Sequence, residues 1–94
     1  MSHSETMEQF KDVLIELDPD IVRDLVTEST DLVHDLDLLD LDLIEMQLML
    51  EEKFSIQLED ADTDAIGEGN FRVGDWVERI MTIRNKQTQQ PTKE

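Results

Sequence analysis

The sequence predicts an all-α fold, a four-helix bundle with a long loop between helices 1 and 2 and a short third helix. Apolar residues recur at spacings of three and four along three long segments, as they do on the buried face of a helix. The 94 residues suffice for one small hydrophobic core. The chain contains no cysteine, so neither disulfides nor thiolate metal sites can support the fold. We therefore expect a single domain that is held together by helix packing.

The first helix is predicted over residues 6–17, after a flexible N-terminus of residues 1–5. Its inward face would consist of Met7, Phe10, Val13, Leu14 and Leu17. Thr6 and Gln9 have the spacing of a capping box. The helix should end at Asp18, because the residue before a proline, here Pro19, disfavours the helical conformation.

Residues 21–39 form the predicted long connection, with a short helical piece at residues 21–26. We expect its apolar residues Leu32, Val33 and Leu36 to anchor it to the bundle. The second helix follows over residues 41–54, with Asp40 as its N-cap at the positive end of the helix dipole. Its predicted inward stripe comprises Leu41, Ile44, Leu48 and Met49.

The remaining elements are shorter or nearer the C-terminus. An extended piece at residues 55–58 leads to a brief third helix at residues 61–66, which Gly67 and Gly69 would close. The last helix, about residues 72–84, would bury Val73, Trp76, Val77, Ile80 and Ile83. Residues 85–94 are polar and have nothing to bury, so we predict a disordered tail. The helical domain is therefore expected to span residues 6–84.

The composition is strongly acidic, with 24 Asp and Glu against 8 Lys and Arg and a formal net charge of −16. Such a charge repels nucleic acid and anionic membranes, and it favours proteins that carry Lys and Arg patches. No apolar run approaches the roughly 20 residues that span a bilayer, and the N-terminus has no features of a signal peptide. We expect a cytoplasmic monomer that binds other proteins and does not insert into membranes.

The segment at residues 35–54, DLDLLDLDLIEMQLMLEEKF, resembles the beginning and body of the second helix of acyl carrier proteins. In that family the segment reads approximately Asp-Leu-Gly-x-Asp-Ser-Leu-Asp-x-Val-Glu-Leu and runs to Glu-Glu-x-Phe. The family serine carries the phosphopantetheine arm on which acyl groups ride as thioesters. Flanking segments at residues 32–36 and 71–77 resemble the family's Phe-Val-Glu-Asp-Leu and Thr-Val-x-Asp-Leu-Val elements. The resemblance covers about residues 6–84 and implies the four-helix bundle of this family.

The departures from the family pattern cluster at the attachment point. The serine position falls on Asp40, the glycine on Asp37 and the aspartate before the serine on Leu39, while Phe54 keeps the family spacing to the end of the helix. A carboxylate cannot form the stable phosphodiester that a serine hydroxyl forms. The chain's serines are not at the family spacing before a helix: Ser2, Ser4, Ser29 and Ser55. The phosphopantetheine cofactor expected for the family is therefore predicted to be absent.

The resemblance implies a non-catalytic docking or adaptor module whose second helix binds an enzyme with a basic face, such as one of fatty-acid or polyketide synthesis. The implied partner-binding residues are Leu41, Asp42, Glu45, Met46, Glu51 and Glu52, with Leu43 as a further apolar contact. The alternative for the acidic positions is ordinary solvation on a helix surface. The alternative for the protein is a genuine acyl carrier of such a pathway whose attachment serine has been replaced here.

Three explanations of Asp40 are open: a fixed charge that mimics the loaded phosphate, an N-cap retained after modification was lost, and an engineered block to loading. The changes at Asp37 and Leu39 favour a divergent natural sequence over a single designed substitution. The aspartate run lacks the glycine and terminal glutamate of a calcium loop. The imidazoles, His3 and His34, lie far apart in sequence. We therefore predict neither a dedicated metal site nor an enzyme.

Overall fold

The computed structural model describes residues 2–59, 62 and 69–89, without the side chains of residues 87–89. The described residues form α1 (His3–Leu17), a 3₁₀ helix η1 (Arg23–Leu25), α2 (Asp40–Phe54) and α3 (Val73–Gln89), and they contain no strand. The predicted all-α class is confirmed. The predicted short helix at residues 61–66 lies outside the described residues except for Asp62, so the four-helix bundle stays a prediction.

The first helix begins three residues before its predicted start because a capping box forms at Ser2. The Ser2 hydroxyl accepts the N–H of Glu5 at 3.2 Å, and the Glu5 carboxylate accepts the N–H of Ser2 at 3.1 Å. The predicted box of Thr6 and Gln9 is therefore wrong. Thr6 is fully buried, and its hydroxyl donates to the carbonyl of Ser2. Residues 3–5, predicted to be flexible, belong to α1.

The core lies where α1 packs against both α2 and α3. The apolar faces predicted for the first and last helices are buried, with Leu17 of α1 partly so. Leu32 of the connection is completely buried, and Val33 and Leu36 pack against the core as expected. One stripe of apolar residues on each of α1 and α3 therefore packs in the core, as the periodicity of these two segments predicts.

The second helix packs with the face opposite to the predicted one. Its buried residues are Leu43, Met46, Leu50 and Phe54. Leu41, Ile44 and Leu48, predicted to face inward, are 79%, 56% and 61% exposed, and Met49 is partly buried. The buried row continues at helical spacing to an aromatic residue, whereas Glu51 and Glu52 follow the exposed row. Because it extends to the last residue of α2, the buried row fills the interior along the whole helix.

The connection between α1 and α2 is hydrogen-bonded to the beginning of α3. Three backbone N–H groups donate to carbonyls at 2.8–2.9 Å: Leu32 to Phe71, Val73 to Thr30, and Gly74 to Glu28. A Cβ atom at Gly74 would lie 3.0 Å from the carbonyl oxygen of Glu28. Glycine therefore permits this close approach, which holds the segment that leads into α2.

The last helix continues five residues beyond its predicted end at Arg84. Residues 85–89, assigned to the disordered polar tail, are helical. Lys and Gln are good helix formers, and no proline follows the start of this helix before Pro91. In the part of the chain that the structure describes, no helix is long and apolar enough to cross a membrane.

Candidate functional site

Asp40, which the sequence resemblance aligns with the serine of the acyl carrier pattern, is the first residue of α2 and is exposed to solvent. The N-cap is Leu39, so the prediction that Asp40 caps the helix is wrong by one residue. The N–H of Leu39 is instead bound by the carboxylate of Asp42 at 3.0 Å. No described residue forms a hydrogen bond or ion pair with the Asp40 carboxylate.

The four serines all lie away from the start of α2 in the chain. Ser2 caps α1, and Ser4 lies in its first turn. Ser29 is in a turn of the connection, and Ser55 follows the last residue of α2 in a left-handed conformation. The first turn of α2 therefore presents no serine hydroxyl that could replace the one missing at Asp40.

The solvent-facing side of α2 carries apolar and acidic side chains together. Leu41, Ile44 and Leu48 are mostly exposed, and Glu45 and Glu52 lie among them on the same side. We call these five residues the outer face. Exposed apolar groups that form one patch with a polar rim are typical of protein interaction sites. The outer face is therefore the candidate docking surface of α2.

The structure separates the predicted partner-binding residues into exposed, half-buried and fully buried groups. Leu41, Glu45 and Glu52 lie on the outer face, where a partner could reach them. Asp42 and Glu51 are half-buried and bind backbone; the Glu51 carboxylate accepts the N–H of Leu58 at 2.7 Å.

Met46, by contrast, has no exposed surface, and Leu43 is only 7% exposed. The expectation that Met46 and Leu43 contact a partner is therefore wrong, because both belong to the core row. Sequence reasoning missed Ile44 and Leu48 as surface residues because it assigned them to the core. The exposed Glu52, one helical turn after Leu48, was the available signal.

The outer face of α2 contains no basic side chain. Lys53 is the one cation in this helix, at its C-terminal turn. Arg23 of the connection instead binds Asp12 and Glu8 of α1, and the hydrogen bond to Asp12, followed by the Glu8 contact, raises the pKa of Arg23. The outer face therefore presents negative charge to an approaching partner.

The loop that precedes α2 is held by a carboxylate. The Asp31 side chain accepts the N–H groups of Val33 and His34, both at 2.8 Å, and its Oδ1 lies 3.2 Å from Nδ1 of His34. The hydrogen bond from the backbone of His34 lowers the pKa of Asp31, and the His34 side chain and the N–H of Val33 act in the same direction. Asp31 therefore acts as a charged anchor for this turn.

The described residues contain no group of three or more His, Asp or Glu side chains that could hold a metal ion. The described residues form a small, acidic, helical domain. Its second helix exposes apolar and acidic side chains on the same side.

No family model matches this chain. A curated relative, the "Acyl carrier protein" of Lactobacillus acidophilus (strain ATCC 700396 / NCK56 / N2 / NCFM), is 32% identical to it over 82 residues. The match covers 87% of this chain and 96% of the relative. The chain therefore belongs to the acyl carrier protein family. Acyl carrier proteins act through protein partners. Membership of this family therefore implies that the chain binds other proteins.

Proposed function

We propose that this protein is a member of the acyl carrier protein family that is not loaded with phosphopantetheine and acts as a non-catalytic docking module. The observation that carries the proposal is Asp40, which is exposed at the start of α2. The sequence resemblance aligns this residue with the serine that carries phosphopantetheine in the family. Loading requires a hydroxyl oxygen that attacks the pyrophosphate of coenzyme A. A carboxylate at the same place would give at most a labile acyl phosphate in place of a phosphodiester.

The outer face of α2 supports docking as the remaining activity. Exposed ion pairs contribute about 0–1 kcal/mol each, so the acidic residues Glu45 and Glu52 would mainly orient the partner and speed its approach. Full burial of a leucine or isoleucine side chain is worth about 1.5–3 kcal/mol. Leu41, Ile44 and Leu48 would therefore supply most of the binding free energy. The partner this predicts has apolar sockets surrounded by Lys and Arg.

The class of partner follows from family membership. An enzyme of fatty-acid or polyketide synthesis with a basic docking face fits the negative outer face of α2. In this proposal the protein occupies or regulates that face without delivering a thioester.

Intact mass tests the loading half of the proposal. The protein is incubated with coenzyme A and a broad-specificity phosphopantetheinyl transferase, next to a functional carrier that is fully loaded. We expect no mass gain, because Asp40 offers no hydroxyl. The variant Asp40→Ser shows whether residue 40 alone blocks loading or whether Asp37 and Leu39 also prevent recognition.

A genuine carrier is the second candidate function, and the name of the curated relative favours it. It predicts a thiol-bearing prosthetic group on the protein purified from its native host. A mass increase of one phosphopantetheine on the wild-type chain would establish this second candidate and overturn the docking-only proposal.

A further inference from the structure

A second exposed apolar surface lies on the connection between α1 and α2. Val22 and Leu25, at η1, are 55% and 74% exposed. Among the described residues, the large hydrophobic side chains with this degree of exposure all fall between positions 22 and 48. The helices α1 and α3 contribute none of them. Among the described residues, the large exposed apolar side chains thus lie on α2 and on the segment before it.

The apolar side chains at η1 border an open cavity of about 390 Å³. Its apolar wall is formed by Ile21, Val22, Leu25 and Leu36. Three carboxylates, those of Asp18, Asp20 and Asp35, also line it. We call this the connection cavity. Its lining combines aliphatic groups with negative charge and includes no basic residue among those described.

The carboxylates of the connection cavity accept only backbone N–H groups among the described residues. One oxygen of Asp18 accepts the N–H of Asp20 at 3.1 Å, and one oxygen of Asp35 accepts the N–H of Asp31 at 2.8 Å. No Lys, Arg or His of the described residues forms an ion pair with these carboxylates. Within the described part of the chain, these three carboxylates therefore have no cationic partner.

The two basic side chains within the connection are directed elsewhere. Arg23 binds Glu8 and Asp12 on α1, and His34 lies against Asp31. Neither residue lines the connection cavity. The negative charge there is consequently available to a group from another molecule.

We propose that the connection cavity receives a Lys or Arg side chain of the protein partner. The aliphatic stem of that side chain would lie on Val22 and Leu25, and its cationic head would reach the three aspartates, as long basic side chains do when they cover apolar surface. A neutral apolar chain would leave the carboxylates without a partner, and an anion would be repelled. A second copy of this chain is disfavoured by the net charge of −16 on each molecule. The inference rests on the proposed function and extends its docking surface from α2 to the connection.

The experiment uses Nα-acetyl-lysine N-methylamide as the probe and its Nε-acetylated derivative as the neutral control. Both are titrated into the ¹⁵N-labelled full chain at constant ionic strength, and amide chemical shifts are followed. We expect the charged probe to shift the amides of residues 20–25 and 35–36 preferentially. The neutral derivative should produce much smaller shifts there.

Variants separate the cavity from the general acidity of the chain. Asp20→Asn and Leu25→Ser should each raise the dissociation constant of the charged probe, obtained from these shifts, about threefold. This is the effect expected for the loss of one exposed contact. Asp24→Asn, an exposed charge in η1 that does not line the cavity, is the matched control and should leave the titration unchanged.

Shifts spread over all acidic segments, or an equal response to the neutral derivative, would overturn the proposal. Loss of response in Asp24→Asn to the same extent as in Asp20→Asn would also overturn it. Because the titration involves neither residue 40 nor the outer face of α2, it can fail while the proposed docking through α2 stands. Docking through α2 is tested separately, by the affinity of the variant Ile44→Ser/Leu48→Ser for a basic partner.

Discussion

The two faces of α2 carry the same types of apolar side chain and yet have opposite roles. Leu50 is completely buried, and Leu48, two positions earlier, is 61% exposed. The buried row continues to Phe54 and packs in the core, while the exposed row is interrupted by acidic residues. One apolar row of this helix therefore serves folding, and the other stays exposed, where the proposed docking would use it.

The acidic residues of the α2 region divide in the same way. The carboxylates of Asp42 and Glu51 accept backbone N–H groups at the two ends of the helix. No hydrogen bond or ion pair joins the side chains of Asp40, Glu45 or Glu52 to another described residue. Variants of adjacent residues can therefore distinguish side chains that hold the fold from those that are available for binding.

The largest expected difference is between the two leucines. Leu50→Ala should lower the free energy of unfolding by about 3 kcal/mol, because it removes buried methyl groups and leaves a cavity. Leu48→Ala should change it by less than about 0.5 kcal/mol, since the side chain is already exposed. Urea unfolding followed by circular dichroism measures both. Equal losses in the two variants would mean that the outer face also packs in solution.

The next largest effect should appear in binding. The double variant Ile44→Ser/Leu48→Ser is expected to weaken affinity for a purified basic partner about 30-fold, because about 2 kcal/mol of apolar burial is lost. The conservative pair Ile44→Val/Leu48→Met serves as the control and should bind within about threefold of wild type. Unchanged affinity in the serine variant, with unfolding unaffected, would exclude the outer face as the docking surface.

Adjacent glutamates give a smaller contrast in stability. Glu51→Ala should cost about 1 kcal/mol, because the N–H of Leu58 loses its acceptor. Glu52→Ala should be nearly neutral, and Glu51→Gln should recover most of the loss because an amide oxygen can accept the same bond. Thermal or urea unfolding of the three variants tests this. For charge reversal in a docking assay, Glu45→Lys and Glu52→Lys are the suitable changes, since Glu51→Lys would disturb the fold.

Helix periodicity predicted α1 and α3 well because each has one apolar stripe. It failed for α2, where Leu41, Ile44 and Leu48 form one acceptable row and Leu43, Met46, Leu50 and Phe54 form another. The spacing of the apolar residues alone does not decide which row meets α1. That decision comes from packing between helices that are distant along the chain, and it reversed the assignment of Met46 and Leu48.

Local signals were also ambiguous at the helix ends. Ser2 with Glu5 and Thr6 with Gln9 both fit a capping box, and burial of Thr6 in the fold selects the first pair. The start of α2 could be predicted to within one residue: the sequence analysis placed the N-cap at Asp40, and the structure places it at Leu39. The backbone partner of Glu51 could not be predicted, since it depends on the path of the chain after the helix.

The acid limb of the stability profile gives the smallest and most specific contrast between anchoring and free carboxylates. Asp31 accepts the N–H groups of Val33 and His34, which lowers its pKa from the ordinary 3.8. Because the folded pKa is below the unfolded one, this carboxylate contributes stability above about pH 3.8, and the contribution is lost as the pH falls through the folded value. Asp31→Asn removes that titration while keeping an acceptor oxygen.

We expect the difference in unfolding free energy between wild type and Asp31→Asn to be constant from about pH 7 to pH 5 and to shrink below about pH 3.8. Asp40→Asn, which removes an equal charge without a described contact, corrects for the general effect of net charge on the profile. A difference that stayed constant down to pH 2, or one equal to that of Asp40→Asn, would mean that charge at Asp31 does not hold the turn. The hydrogen bonds to Val33 and His34 would then depend on acceptor geometry alone, and the loop before α2 would keep its conformation in acid.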